Sequence, residues 1–197
     1  MRPDDLYSVP PDLPAPEDDG ACAHLVGLDL PSISLPATTG GEVNLAAGTT
    51  RWTVLYAYPR TGLPDRPSPP GWDDIPGARG CTPQNCAFRD HFTELQSLGA
   101  AVYGLSTQST VYQQEMAARL HLPFPVLSDE RLEFTRALRL PRFRYRPWTL
   151  LKRLSLIVED RRIVHVVYPV FPSNADAPAV LSWLRAHEIT GHYRYDP

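Results

Sequence analysis

Only three of the 197 residues are cysteine. That odd and small number does not match the framework of a small secreted domain stapled by disulfides, and in a reducing compartment a close pair is more often catalytic or metal-binding. Long apolar runs are missing as well. No stretch approaches the roughly 20 residues of a membrane-spanning helix, and the N-terminus lacks the basic-then-apolar layout of a secretory signal. The expected location is therefore the cytoplasm, with no membrane partner. An excess of basic charge is also absent: the formal net charge is −3, and Lys and Arg are scattered rather than striped. No nucleic acid is expected as a partner. What the chain does have is 43% hydrophobic content, enough to fill the core of one globular unit with appendages.

Two of the cysteines fall in one stretch, Gly80-Cys81-Thr82-Pro83-Gln84-Asn85-Cys86-Ala87-Phe88-Arg89-Asp90. Before it, Arg51 to Tyr58 is β-branched and aromatic and reads as a buried strand. After it, Phe88, Phe92, Leu95 and Leu98 recur at three or four residues and stop at Gly99, which predicts one amphipathic helix with a glycine cap. Cys81 then lies at a helix N-terminus, where free N–H groups and the macrodipole favour a thiolate, the nucleophilic form of cysteine.

Along the rest of the chain, residues 1–22 are rich in proline and acid and predict a flexible tail. Ser32–Leu35 and Glu42–Leu45, separated by Thr38-Thr39-Gly40-Gly41, predict an N-terminal hairpin extension. Cys22 reads as a bystander thiol. From Pro59 to Gly80 a proline-rich connection lacks periodicity, and its delivery of the chain to Cys81 favours a functional loop over a tolerated insertion. A strand at Ala101–Leu105, a helix capped by Ser109, an extended piece at Phe124–Leu127 and a helix over Glu130–Leu140 follow. The basic aromatic run from Arg142 to Trp148 reads as a partly solvated loop. Leu154–Val158 and Ile163–Val167 predict a hairpin, and a last helix follows, with Ser173 or Asn174 as cap. This order predicts an α/β chain with a central mixed sheet flanked by helices, a thioredoxin-like architecture. The expected units are a tail over 1–22, one domain over 23–190 and a C-terminal tail over 191–197.

On one continuous helix, positions five apart are separated by roughly 7.5 Å of rise and 140° of rotation, leaving the Cα atoms some 8–9 Å apart. A disulfide needs them within about 7 Å. A bond between Cys81 and Cys86 thus requires the first turn or two to unwind, and Pro83 sits in the turn where helices tolerate proline. Metal is disfavoured: Cys81, Cys86 and His91 walk round the helix instead of sharing one face, and no second ligand cluster is present. No cofactor is expected. A thiol–disulfide oxidoreductase remains open on this architecture, although four intervening residues are not the two of the usual redox motif.

The segment Gly80–Asp90 resembles that of the peroxiredoxins of the bacterioferritin-comigratory or Q type. The resemblance continues at Tyr103-Gly104-Leu105-Ser106, at Phe124-Pro125-Val126-Leu127-Ser128-Asp129 and at Arg153-Leu154-Ser155-Leu156-Ile157-Val158, covering about Ile33 to His187. It implies a thiol-dependent peroxidase acting on hydrogen peroxide or organic hydroperoxides. Cys81 would be the peroxidatic nucleophile, Cys86 the resolving thiol in an intramolecular disulfide, Arg153 the active-site arginine, and Pro59 the proline that shields the cysteine. Thioredoxin or a similar dithiol would be the reductant, with the protein a monomer or weak dimer. Where the family has a threonine or serine three residues before the nucleophile, this chain has Ala78, and its proline-to-cysteine connection is longer; the missing hydroxyl would come from Thr61, from Thr82 or from a backbone group. From another class, a non-enzymatic redox sensor would use the same pair stoichiometrically, and a binding module without turnover would not use it at all.

Overall fold

The computed structural model describes residues 6–64 and 66–188. The expected C-terminal tail and the first five residues of the N-terminal one lie outside this range. A small hairpin, β1 (Ser34–Pro36) and β2 (Glu42–Asn44), precedes the main sheet. Then come β3 (Trp52–Ala57), α1 (Cys81–Asp90), α2 (Phe92–Ser97), β4 (Ala100–Ser106), α3 (Thr110–Arg119), β5 (Val126–Ser128) and α4 (Glu133–Leu138). A second hairpin, β6 (Arg142–Tyr145) and β7 (Trp148–Leu151), leads to β8 (Leu154–Glu159), β9 (Arg162–Val167) and α5 (Asp176–Glu188).

Five strands form one mixed sheet in the order β5-β4-β3-β8-β9. Strand β3 is parallel to β4 and antiparallel to β8, and all six of its residues are buried. A strand covered on both faces favours apolar side chains on both, and apart from Thr53 its sequence shows no alternation. Its side chains still alternate in space. Val54 and Tyr56 pack with Phe88 of α1, Leu95 of α2, Met116 of α3 and Val180, Leu181 and Leu184 of α5. Leu55 and Ala57 face the opposite layer, made by Phe134 and Leu138 of α4 and by Leu25, Leu30, Leu35 and Leu45. This is the thioredoxin-like architecture anticipated from the element order, with the hairpin extension preceding it.

Three local expectations change. The single helix expected from Cys81 to Leu98 breaks at His91, whose φ of −98° and ψ of 7° leave the helical basin. The break turns Phe92 toward Phe124, with ring centroids 5.4 Å apart, while Phe88 and Leu95 keep to the core. The Arg142–Trp148 run is a hairpin, not a loop: Arg142 and Arg144 are exposed, while Phe143 and Tyr145 turn inward to Trp72. Neither Ser173 nor Asn174 caps α5, because Ser173–Ala175 forms a 3-10 turn ahead of it.

The long connection between β3 and α1 is held by that hairpin. Trp72 is buried against Leu150, its ring is 5.2 Å from Tyr145, and the Tyr145 hydroxyl donates to the Pro70 carbonyl at 2.7 Å. Residues 6–22, read above as a tail, have no regular secondary structure but carry contacts to the body. Asp19 pairs with Lys152 at 2.6 Å and accepts from the Tyr168 hydroxyl at 2.7 Å.

Phe88 is fully buried and stacks on Tyr56, with centroids 4.1 Å apart and planes 9° off parallel. Phe88→Ala is expected to cost about 3–5 kcal/mol, read as a lower denaturation midpoint at an unchanged slope. Val111→Ala, at a site 78% exposed, should stay within about 0.5 kcal/mol. Equal losses at both sites would contradict the packing described.

Candidate active site

The connection ends in three residues, Gly77, Ala78 and Arg79, whose carbonyls converge on one side chain. Arg153 comes from the turn between β7 and β8 and is only 3% exposed. Its Nη2 donates to the carbonyls of Gly77, Ala78 and Arg79 at 3.1–3.2 Å and to the Cys81 sulfur at 3.3 Å. Its Nη1 donates to Gln84 Oε1. A guanidinium is always charged and has only donors. Buried, it needs acceptors, and its two terminal nitrogens gather the loop end and the helix start around themselves, while its Nε has no partner among the described residues.

Gly80 makes the turn into α1 with φ of 101°, a left-handed conformation, and a Cβ there would sit 2.2 Å from the Ser173 hydroxyl. Glycine is therefore required on both counts. Cys81 is the first helical residue and is 3% exposed. Its thiol donates to the Ala78 carbonyl at 3.5 Å, and the approaching guanidinium donor offers a charge-assisted bond that a thiolate accepts more strongly than a thiol.

The rest of the first turns is tied down by buried polar groups. Asn85 Nδ2 donates to the Cys81 carbonyl at 2.8 Å, and Asn85 Oδ1 accepts from the Tyr56 hydroxyl at 2.6 Å. Gln84 Nε2 donates to Asp176 Oδ2 at 2.5 Å, an oxygen that also accepts from the Ser155 hydroxyl at 2.8 Å. Burial pushes the Asp176 carboxyl up to about 6, although Gln84, Ser155 and the Arg153 charge pull the other way. Burial likewise raises the Tyr58 phenol well above its ordinary range, with the neighbouring Cys81 adding to the effect.

A cavity of about 160 Å³ opens onto Cys81 and is walled by Thr82, Arg79, Arg60, Leu63, Trp72 and Tyr112, among others. Thr82 is 2% exposed, and among the described residues its hydroxyl has no hydrogen-bond partner. Thr61, the other candidate hydroxyl, is committed elsewhere: its Oγ1 donates to Gln108 Oε1 at 3.2 Å, and its carbonyl accepts from the Tyr112 hydroxyl at 3.0 Å. Pro59 lines a different cleft, of about 380 Å³, which reaches Arg153 from the other side. The structure thus brings Arg153 to Cys81 from the Pro59 cleft, sets Thr82 beside Cys81 in the wall of the other cavity, and commits the Thr61 hydroxyl to Gln108.

Cys86 lies on the same helix, half-buried, and both it and Cys81 are free thiols. Burial raises the Cys86 thiol, and Arg89 opposes that. Because α1 is unbroken from Cys81 to Asp90, the separation of about 8–9 Å between Cα atoms five apart holds, and the sulfurs cannot join in this conformation. Sequence reasoning overlooked Gln84, Asn85 and Asp176. Gln84 and Asn85 carried a signal, since Gln84 falls four residues before Phe88 on the buried face, where a polar side chain demands a partner. Asp176, 92 positions further on, carried none.

A helix-starting cysteine held against a buried arginine, on a thioredoxin-like sheet, defines a thiol-based oxidoreductase. The Redoxin family pattern matches residues 25–181. Peroxiredoxin Bcp of Escherichia coli K12 is 29% identical over 161 residues, 80% of this chain and 93% of that protein. The crystal structure of peroxidoxin BcpB from Mycobacterium tuberculosis superposes with a TM-score of 0.68 at 25% identity, covering 82% of this chain and 96% of that one. Peroxiredoxin Q of Xanthomonas campestris gives 0.66 at 24% identity, over 82% and 97%. The chain belongs to the Redoxin family and is a peroxiredoxin of the bacterioferritin-comigratory/Q type, a thiol-dependent peroxidase.

Cys22 is 6% exposed, and burial together with the charges of Asp19 and Asp18 pushes its thiol up to about 12. At pH 8 only about one molecule in 10⁴ would carry the thiolate there. Alkylation of the native reduced protein, followed by peptide mass spectrometry, should therefore label Cys22 last and only on unfolding. Labelling of Cys22 as fast as Cys86 would show that the N-terminal segment opens freely.

Proposed function

We propose that Cys81 is the peroxidatic nucleophile of this enzyme, that Arg153 and Thr82 serve it, and that Cys86 resolves the oxidised sulfur. The observation that carries this is the 3.3 Å approach of Arg153 Nη2 to the Cys81 sulfur, at a helix N-terminus that lines a cavity of about 160 Å³. The thiolate attacks the terminal oxygen of the hydroperoxide, the O–O bond breaks, and the departing alkoxide or hydroxide takes up a proton. Sulfur loses two electrons and becomes a sulfenic acid. Arg153 offers the cationic donor for charge that develops on the peroxide oxygens, as preorganised donors do in a water-poor site. Thr82 supplies the hydroxyl that Ala78 cannot, since its Oγ1 is buried in the cavity wall with no partner among the described residues. Thr61 supports that wall through Gln108 and Tyr112.

Once the first turns of α1 open, the Cys86 thiolate attacks the sulfenic sulfur, the S–S bond forms, and hydroxide leaves and is protonated to water. A dithiol reductant of the thioredoxin kind then returns both thiols by exchange, accepting the disulfide itself. The setting is a reducing compartment, the cytoplasm, and the working unit is a monomer or weak dimer over a single domain from about residue 23. Among the described residues no helix is long and apolar enough to cross a membrane. Organic hydroperoxides are included among the substrates because the cavity wall mixes Leu63, Trp72 and prolines with polar groups. The Xanthomonas campestris bacterioferritin comigratory protein, a structural neighbour at 23% identity with a TM-score of 0.65 over 82% of this chain and 98% of that one, is described with alkyl peroxide reduction activity.

Cys81→Ser should abolish peroxide consumption with a dithiol reductant, and retained turnover would remove the nucleophile from Cys81. Cys86→Ser should consume one equivalent and accumulate sulfenic or higher oxidised Cys81, trapped by a sulfenate reagent; an absence of the adduct would count against its role. Many turnovers by the wild type, rather than one, separate an enzyme from a stoichiometric sensor. Thr82→Val should lower kcat/KM by about 10²-fold, the size of a lost donor in the transition state, while Thr61→Val changes it less. The reverse order would give the hydroxyl role to Thr61.

A further inference from the structure

We infer that Asp176 is a positioning residue for the peroxidase chemistry: through Gln84 it fixes the orientation in which Arg153 is held against Cys81. The geometry is a continuous buried chain. Asp176 Oδ2 accepts from Gln84 Nε2, Gln84 Oε1 accepts from Arg153 Nη1, and Arg153 Nη2 reaches the Cys81 sulfur. Asp176, Gln84 and Arg153 are at most 3% exposed, so water does not replace any link.

A carboxylate only accepts hydrogen bonds and a guanidinium only donates them. The Gln84 amide between the two therefore has one orientation, with NH₂ toward Asp176 and oxygen toward Arg153. Ser155 donates to the same Asp176 oxygen and keeps the carboxylate on α5 turned toward α1. The groups that face Asp176 are Ser155 from β8, Gln84 from α1, Arg153 from the β7–β8 turn and, at longer range, the Tyr56 phenol from β3. Of these only Arg153 is charged near neutrality, and the Tyr56 hydroxyl is committed to Asn85.

Protonation changes the logic. A neutral carboxyl accepts the Gln84 Nε2 bond without the charge that strengthens it, so the amide, still oriented by Arg153 and by the Ala57 carbonyl at 3.4 Å, is held less firmly at its Asp176 end. Burial has raised the Asp176 carboxyl to about 6, so this loss falls within a measurable range. Below that pH the folded protein holds the proton on Asp176 and the relay is slack; above it the carboxylate forms and the relay is set. Cys81 should accordingly react faster as pH rises through about 6.

Resting on the reading that Cys81 is the nucleophile and Arg153 its partner, the inference is tested on the full chain by single-turnover oxidation with hydrogen peroxide from pH 5 to 8. The variants are Asp176→Asn, Gln84→Leu and the double variant, each checked for folding by circular dichroism. Each single variant should slow oxidation of Cys81 at pH 7.5 by about tenfold to a hundredfold, the effect of a small misplacement of a reacting group. The double variant should be no slower than the slower single one, and the step near pH 6 should vanish from all three. Losses that multiply, or a step that persists in Asp176→Asn, would overturn the relay. If Asp176→Asn does not fold, Gln84→Leu decides alone, because it keeps Asp176 and its Ser155 bond and must still lose the step. Peroxide consumption by Cys81→Ser would defeat the underlying reading; an inactive Cys81→Ser together with a step that persists in Asp176→Asn or Gln84→Leu would defeat only this inference.

Discussion

The buried guanidinium of Arg153 is the constraint on which the rest of the site depends. Taking a permanent positive charge out of water is costly unless acceptors surround it. Arg153 finds them in the carbonyls of Gly77, Ala78 and Arg79, the Gln84 amide oxygen and the Cys81 sulfur. Those acceptors are the end of the long loop and the first turn of α1, so satisfying one side chain shapes the backbone that presents Cys81. The left-handed turn at Gly80 follows, since the chain must reverse from the carbonyl cluster into the helix while passing the Ser173 hydroxyl. Ala78 fits the same scheme: it contributes its carbonyl, and its fully buried side chain packs beneath Trp72 and Leu150.

The same first turn must come apart for the two cysteines to meet. It is held by Asn85 to Tyr56 and by Gln84 to Asp176, buried bonds whose polar ends would be exposed on opening. The reduced helix start is thereby kept ordered, and any approach of the two sulfurs waits on a local opening whose free energy those bonds help set. Cys22 is raised and buried on the opposite layer.

Much of the fold was legible along the chain. A β-branched and aromatic run located the central strand, and apolar spacing and turn residues located the helical stretch after Cys81 and the closing hairpin, because these signals come from neighbours a few residues apart. Two segments were harder. The Pro59–Gly80 connection and the Arg142–Trp148 run each look unstructured alone, yet Trp72 and Pro70 of the first pack against Phe143 and Tyr145 of the second. The alternation Arg-Phe-Arg-Tyr was a strand signal, but nothing in the sequence said what its apolar face would cover. The helix break at His91 was hidden for a related reason: Phe88, Phe92 and Leu95 keep helical spacing across it.

Of the site, the sequence by itself determined the chemical parts and one mechanical condition: two thiols five apart at a helix start, which cannot be bonded while that helix is intact. Both follow from covalent order and helical geometry, which are local. Only the tertiary structure decided which groups surround the sulfur. Arg153 meets Cys81 across 72 positions and Gln84 meets Asp176 across 92, while Thr61 is drawn to Gln108 and the Thr82 hydroxyl is buried beside Cys81 with no partner among the described residues. Such choices turn on which buried donors and acceptors find each other once the layers pack, and no spacing along the chain encodes them.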